Sequence, residues 1–361
     1  MPTRRKTAGR DFTGGALPYL YQHRGSTGNP AFDERIRDLV GDWGGGDHPE
    51  LIEELIITAL KIAHDNTVLG DLKLFNRTIR ELREAARVFR PFDRRRKVVV
   101  FGSARTPADR PEAQAAERFA HRMVEESYMV ITGAGDGIMG AAQRGAGRDD
   151  SFGLNIKLPF EQEANTVIGG DRKLVTFNYF FTRKLNFVKE AEAFALFPGG
   201  FGTMDEGFEV LTLIQTGKAM ILPIVLVDVP GGTYWKTFIE FVRVELLERG
   251  LISPDDMSLF RLVNDPEEAV AEIKKFYRIF HSYRFVGPEM VIRLNEPLSE
   301  ARLDEMNEAF RDLLGNGEFR QCSALPQESN EMELASMPRL VFRPVRKRFG
   351  RLRELIDAIN A

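Results

Sequence analysis

A single cysteine, Cys322, stands in 361 residues. One thiol forms no internal disulfide and no CxxC metal site, so a reducing, cytoplasmic setting is the default expectation. Histidine is sparse as well: His23, His48, His64, His121 and His281 are scattered, and none lies in a glycine-rich motif. Zinc and histidine-based acid–base chemistry fit that pattern poorly. No apolar run reaches the roughly 18 residues that a bilayer span needs. Arg4, Arg5, Lys6 and Arg10 are basic but have no apolar core behind them, so they do not read as a secretory signal. Charge of one sign is missing too, since 50 Lys and Arg face 53 Asp and Glu. A chain without a basic excess is not expected to be a dedicated binder of nucleic acid or of a membrane.

What is present is 43% hydrophobic residues, enough for a sizeable core and more than one domain. Residues 1–46 are rich in Gly, Arg and Pro and read as an irregular arm. A helical segment follows at 47–92, opened by Asp47-His48-Pro49. Within it Leu72, Phe75, Ile79, Leu82, Ala86 and Phe89 fall on one helical face, for packing in a core or a dimer. A break is expected near Asp65-Asn66.

From residue 97 the rhythm changes. Apolar runs at 98–102, 129–133, 153–158, 193–197 and 221–228 alternate with helical patterns at 111–127, 137–147, 178–191, 204–216 and 233–249. Continuous apolar strands between amphipathic helices predict an α/β domain over 93–280, a doubly wound, Rossmann-like parallel sheet covered on both faces. Residues 281–361 predict a small α+β domain of βαββα order, with strands at 290–294, 319–325 and 339–345 and helices at 299–314 and 349–359. No catalytic constellation lies in it, so the chemistry is expected to survive its removal.

The glycines fall at the carboxyl ends of the predicted strands, where such sheets bind ligands. Pro198-Gly-Gly-Phe-Gly-Thr-Met-Asp-Glu206 is a strand running through a glycine loop into a helix N-terminus, the backbone device that holds phosphates. Gly199, Gly200 and Gly202 allow close approach of an anion, and Thr203 adds a hydroxyl. Asp205 and Glu206 are placed in the first turn of that helix, with Glu209 one turn on. Acids there serve the helix dipole, but carboxylates beside a phosphate loop also suit a sugar phosphate.

Three further motifs accompany this loop. Gly102-Ser103-Ala104-Arg105 offers N–H groups and a hydroxyl after the first sheet strand. Residues 133–140, Gly-Ala-Gly-Asp-Gly-Ile-Met-Gly, open a helix after the second strand, bringing Gly133, Gly135, Gly137 and Met139 to a nucleotide or sugar. Gly135 to Gly140 match GxGxxG, yet no acid follows about 20 residues on, where Lys157-Leu158-Pro159 stand instead, so NAD binding is disfavoured. Arg183 and Lys184 lie in a helix rich in aromatics. Taken alone the pair reads as a surface feature, and a Schiff-base role for Lys184 has no pyridoxal phosphate motif to support it.

Together the four motifs resemble the LOG (Lonely Guy) proteins, often mislabelled as possible lysine decarboxylases, over roughly residues 95–280. The resemblance implies a phosphoribohydrolase that cuts the N-glycosidic bond of nucleoside 5′-monophosphates, with AMP or a cytokinin riboside monophosphate as substrate. It implies Arg183 and Glu206 as catalytic residues. Gly102, Ser103, Gly133, Gly135, Gly137, Met139, Lys184, Pro198, Gly199, Gly200, Gly202, Thr203 and Glu209 are then expected around the substrate. It further implies a homodimer or higher homo-oligomer and neither metal nor organic cofactor. Many relatives read Gly-Gly-Gly-Pro-Gly-Ile-Met-Glu where this chain has Ala134, Asp136 and Gly140. The competing readings are a non-catalytic nucleotide sensor and an NAD(P) oxidoreductase.

Overall fold

The computed structural model describes residues 25–159, 163–328, 331–345 and 348–361. The chain divides into two compact units, one of residues 19–83 and one holding 84–361. In the smaller unit α1 (Pro30–Asp42) and α2 (Pro49–His64) pack through Ile36, Val40 and Ile57. Residues 30–42 are therefore a helix, not the irregular arm expected. The Asn29 side chain accepts a hydrogen bond from the Ala31 N–H and Pro30 occupies the first turn, which together start it. Residues 1–24 of that arm lie outside the described residues.

The expected break falls at Asn66, whose φ of 55° separates α2 from α3 (Leu69–Phe89). The apolar stripe on α3 is only partly buried. Leu72, Phe75 and Ile79 stay 41–51% exposed, and at the far end the buried positions are Ala85, Val88 and Phe89, with Ala86 turned outward.

The larger unit is built on seven parallel strands: β1 (Lys97–Phe101), β2 (Met129–Thr132), β3 (Ser151–Ile156), β4 (Leu174–Phe177), β5 (Ala193–Leu196), β6 (Ile224–Val227) and β7 (Arg261–Val263). Their order is β4-β3-β2-β1-β5-β6-β7. The chain winds outward from β1 through β4, then returns to pair β5 with the other side of β1. The switch point thus lies between the carboxyl ends of β1 and β5, where a crevice opens in such sheets.

Helices α4 (Pro111–Glu125), α5 (Gly137–Ala146), α6 (Phe180–Glu190), α7 (Phe201–Gln215), α8 (Tyr234–Phe241) and α9 (Pro266–Phe276) cover the sheet. Alternate strand residues face opposite layers, as the two-residue strand period requires. Val98, Val100, Val130, Ala193, Ala195 and Val225 meet α4, α5 and α9. Val99, Phe101, Ile131, Phe194, Leu196 and Leu226 meet the core containing α6, α7 and α8. The doubly wound fold read from the sequence is the fold observed.

A second, antiparallel sheet follows, of β8 (Phe280–Val286), β9 (Glu289–Leu294), β10 (Leu314–Cys322) and β11 (Arg339–Pro344), with α10 (Glu300–Ala309) and the closing α11 (Phe349–Ile359). Its order is β10-β11-β9-β8. The observed order of elements is ββαββα, because β8 forms a hairpin with β9 that the sequence reading left unassigned. The two sheets share one hydrophobic core. Leu352, Leu355 and Ile356 of α11 lie in the same cluster as Phe276, Trp235 and Ile214. Polar ties reinforce it: Arg261 to Asp357 (2.5 Å), Arg353 to Glu272 (2.8 Å), and the Asn360 amide donating to the Phe276 carbonyl (2.7 Å).

Candidate active site

Three glycine loops meet at the switch point. The Phe197 N–H donates to the Phe101 carbonyl (2.9 Å), and the Ser103 N–H donates to the Pro198 carbonyl (3.1 Å). The Ser103 carbonyl in turn accepts from the Ile138 N–H (3.0 Å). Residues 102–105, 133–140 and 198–203 are thus one backbone assembly. Close contact explains two glycines in it. A Cβ on Gly199 would lie 2.2 Å from Thr203 Oγ1 and 3.0 Å from the Ser103 nitrogen. Gly137, at φ +61°, would press a Cβ against the Ser103 carbonyl oxygen at 2.3 Å. Gly200 and Gly202 face open space, where an anion can approach the N-terminus of α7.

Helix α7 starts at Phe201, three residues before the expected 204, so its first turn carries no acid. Asp205 and Glu206 belong to the second turn. The dipole account of these carboxylates weakens accordingly, because that effect fades beyond the first turn. Glu206 is 6% exposed, and its Oε1 lies 3.7 Å from Arg183 Nη2 on α6. Burial pushes the Glu206 carboxyl up to about 7, although the Lys184 and Arg183 charges pull it down. A carboxyl titrating near neutrality suits general acid–base work and charge stabilisation.

Arg183 packs between the rings of Phe180 (5.1 Å) and Phe187 (5.6 Å). Burial pulls its guanidinium below the ordinary value, against the attraction of Glu206 and Asp205. Its Nε is buried and has no hydrogen-bond partner among the described residues. A half-buried guanidinium with an unspent, buried donor is set up to receive ligand oxygens. Gly133 lies at the same place, since a Cβ there would stand 3.9 Å from Arg183 Nη1 and 2.9 Å from the Met139 sulfur.

Lys184 and Glu209, also expected at the substrate, are paired with each other. Lys184 Nζ holds Glu209 at 2.9 Å and Asp205 at 2.8 Å. Burial lowers the Lys184 ammonium, but these two carboxylates more than compensate and its value is raised. A lysine kept protonated is no Schiff-base nucleophile. Arg105 is exposed, and its N–H donates to Ser103 Oγ (3.1 Å).

Two residues that the sequence did not single out hold the loops. The Tyr234 hydroxyl, at the start of α8, donates to the Gly199 carbonyl. Asn165, in the connection from β3 to β4, donates to the Ala134 and Gly135 carbonyls. Neither belongs to a recognisable motif, and only contact reveals them. Among the described residues no group of three His, Cys, Asp or Glu side chains could hold a metal. None of the described helices is long and apolar enough to cross a membrane. A separate groove of about 1120 Å³ lies on the second sheet, lined by Val286, Glu289, Arg320, Phe342 and Arg343, but Arg320 is already paired with Glu289 (2.8 Å).

Fold and loops together define a Rossmann-like domain with a glycine-lined switch point and a buried carboxylate facing a half-buried guanidinium beside it. Residues 139–273 match the family model described as "Possible lysine decarboxylase". The chain is 25% identical over 186 residues to the cytokinin riboside 5′-monophosphate phosphoribohydrolase LOG7 of Arabidopsis thaliana, covering 50% of this chain and 82% of that one. It is likewise 25% identical to LOG3 of the same plant over 184 residues, with shares of 50% and 83%. The resemblance to the LOG family read from the four motifs is thus borne out over about half of the chain. Among solved structures, the Moco carrier protein of Chlamydomonas reinhardtii aligns over 50% of this chain and 97% of its own, at 18% identity and a TM-score of 0.35.

Proposed function

We propose that this chain hydrolyses the N-glycosidic bond of nucleoside 5′-monophosphates, giving free base and ribose 5-phosphate. The observation that carries the reading is the Glu206 carboxyl, buried 3.7 Å from Arg183 and one helical turn beyond the glycine loop. Breaking the C1′–N bond leaves its electron pair on the base and positive charge on the ribose ring, as in other glycoside cleavages. Ionised Glu206 stabilises that charge in a site with little water to screen it. A water oxygen then bonds to C1′, and the proton it loses balances the one the departing base takes up. Glu206, titrating near neutrality, can accept and pass on that proton. Arg183 stays charged and acts as a clamp on phosphate or sugar oxygens. The loop at Gly199, Gly200, Gly202 and Thr203 binds the 5′-phosphate through the N-terminus of α7.

Relatives named for cytokinin riboside monophosphates support the reaction class. The base is chosen by the test. Purified protein is incubated with AMP, an N6-isopentenyl AMP and adenosine, and free base is measured. Release from a monophosphate but not from adenosine is expected. Tight binding of monophosphates without any base release would favour a nucleotide sensor instead.

A further inference from the structure

We propose that Asn165 is a positioning residue that aims the 133–137 loop at the ribose hydroxyls of the ligand. Asn165 is 7% exposed and lies in the connection between β3 and β4, outside every glycine motif. Its Nδ2, with two N–H donors, lies within hydrogen-bonding distance of three acceptors: Ala134 O (3.1 Å), Gly135 O (2.9 Å) and Oε1 of the fully buried Gln143 (2.6 Å). Those partners accept only, so the orientation of the amide is fixed by chemistry. Its Oδ1 accepts from the Val167 N–H (3.1 Å), and its own N–H donates to the Ala134 carbonyl (2.9 Å). The amide nitrogen and the backbone N–H of Asn165 thus hold the loop, while its Oδ1 and carbonyl oxygen are held by Val167 and Gly169 of its own segment.

The consequence follows from peptide geometry. In a trans peptide the C=O and the next N–H point in opposite directions. With the Ala134 and Gly135 carbonyls turned to Asn165, the Gly135 and Asp136 N–H groups point away from it. Gly133 and Gly137 of the same loop border Arg183 and Ser103, and in the proposed arrangement those N–H groups face the switch-point crevice on that side. The grip also maintains Ala134 at φ 63°, a left-handed conformation that a side chain disfavours. Asp136 caps α5, with its carboxyl making no cap hydrogen bond and standing exposed. A carboxylate there repels a phosphate dianion but accepts from a hydroxyl. N–H donors flanking a carboxylate acceptor match a vicinal diol, which the ribose of a nucleotide carries.

This inference rests on the nucleotide reading above, and its readout is binding, so the two fail separately. Affinities for AMP and 2′-deoxy-AMP are measured by calorimetry on the full chain and on Asn165→Ser, Asp136→Asn and Ile168→Val. In Asn165→Ser the AMP affinity should fall about 10-fold or more, and the preference for AMP over its deoxy form should shrink. Asp136→Asn, at an exposed position that does not threaten folding, should lose the same preference. Ile168→Val trims a buried side chain of the same segment and should change neither value. Wild-type AMP affinity and preference in a folded Asn165→Ser would overturn the assignment. So would a tighter fit of both nucleotides in Asp136→Asn with the preference intact, which would put phosphate at this loop. Nucleotide binding without base release by the wild type would refute the hydrolytic reading and leave the Asn165 comparison in force.

Discussion

Glu206 and Arg183 face each other at 3.7 Å, close enough for strong attraction but too far for a hydrogen bond, and Arg183 Nε is left without a partner among the described residues. A buried carboxylate and a half-buried guanidinium that stop short of bonding leave their capacity for something between or beside them. The pair differs in this from Lys184, whose ammonium is taken up by Asp205 and Glu209.

The first prediction concerns pH. Folding raises the Glu206 carboxyl from its ordinary 4.5 to about 7, so the folded protein holds that proton more tightly than the unfolded chain. The stabilisation this gives is complete below about pH 4.5 and lost as pH rises through about 7, amounting to roughly 3 kcal/mol. Glu206→Gln should flatten this part of the stability profile in denaturant titrations between pH 4.5 and 8. Base release by the wild type should rise through the same region as the carboxylate forms. A falling limb there would make Glu206 a proton donor instead.

Arg183 supplies charge that opposes the rise in Glu206. Removing it should push the carboxyl higher still. In Arg183→Gln the rising limb of the rate profile should therefore move to higher pH, by about one unit, on top of weaker monophosphate binding. An unmoved limb would show that the two groups do not sense each other in the working enzyme. Arg183→Lys keeps the charge but not the planar fork, and should hold the limb while still weakening binding.

The 198–203 loop leaves no room at Gly199, where a Cβ would collide with Thr203 Oγ1 at 2.2 Å and with the Ser103 nitrogen at 3.0 Å. Gly199→Ala should force these loops apart. Monophosphate affinity should fall about 10-fold or more, while any residual binding of the unphosphorylated nucleoside stays unchanged. Equal losses for both ligands would place the phosphate elsewhere.

The C-terminal segment carries no motif residue, which made its removal look harmless in the sequence. The structure argues otherwise. Cutting the chain near His281 would sever β8 and strip away Leu352, Leu355, Ile356 and Ile359, all no more than 4% exposed, from the shared core. At roughly 1.5–3 kcal/mol for each buried aliphatic side chain, that loss rivals the whole stability of a typical domain. A chain ending near residue 281 should be insoluble or unfolded by circular dichroism. A soluble, cooperatively melting truncation would contradict this.

Much of the architecture was legible because five strands of the large sheet are interior and read as short, mostly apolar runs. The elements missed have physical reasons. β4 and β7 are the two edges of the sheet. They are only four and three residues long, and polar neighbours such as Arg261 and Thr176 break their pattern. Helix α9 was announced by the Asp265 cap, by Pro266 and by acids at its start, and these signals went unread. In the site, the loops were visible as motifs because close backbone approach demands glycine. Asn165 and Tyr234 were not, because a residue that holds a loop from a distant segment leaves no local pattern. The commitment of Lys184 to Asp205 and Glu209 was equally hidden, since it joins two helices through side chains alone.

The most direct measurement compares single-turnover base release by the wild type, Glu206→Gln and Asp205→Asn with the preferred monophosphate, alongside the affinity of each for that nucleotide. If Glu206 stabilises charge that appears only in the transition state, Glu206→Gln should bind the nucleotide about as well as the wild type. Its release of base should fall roughly 100-fold or more. Asp205→Asn, with 61% of its side chain exposed, should lose far less. Near wild-type turnover in Glu206→Gln would contradict the account and shift the search for the working carboxylate to Glu209.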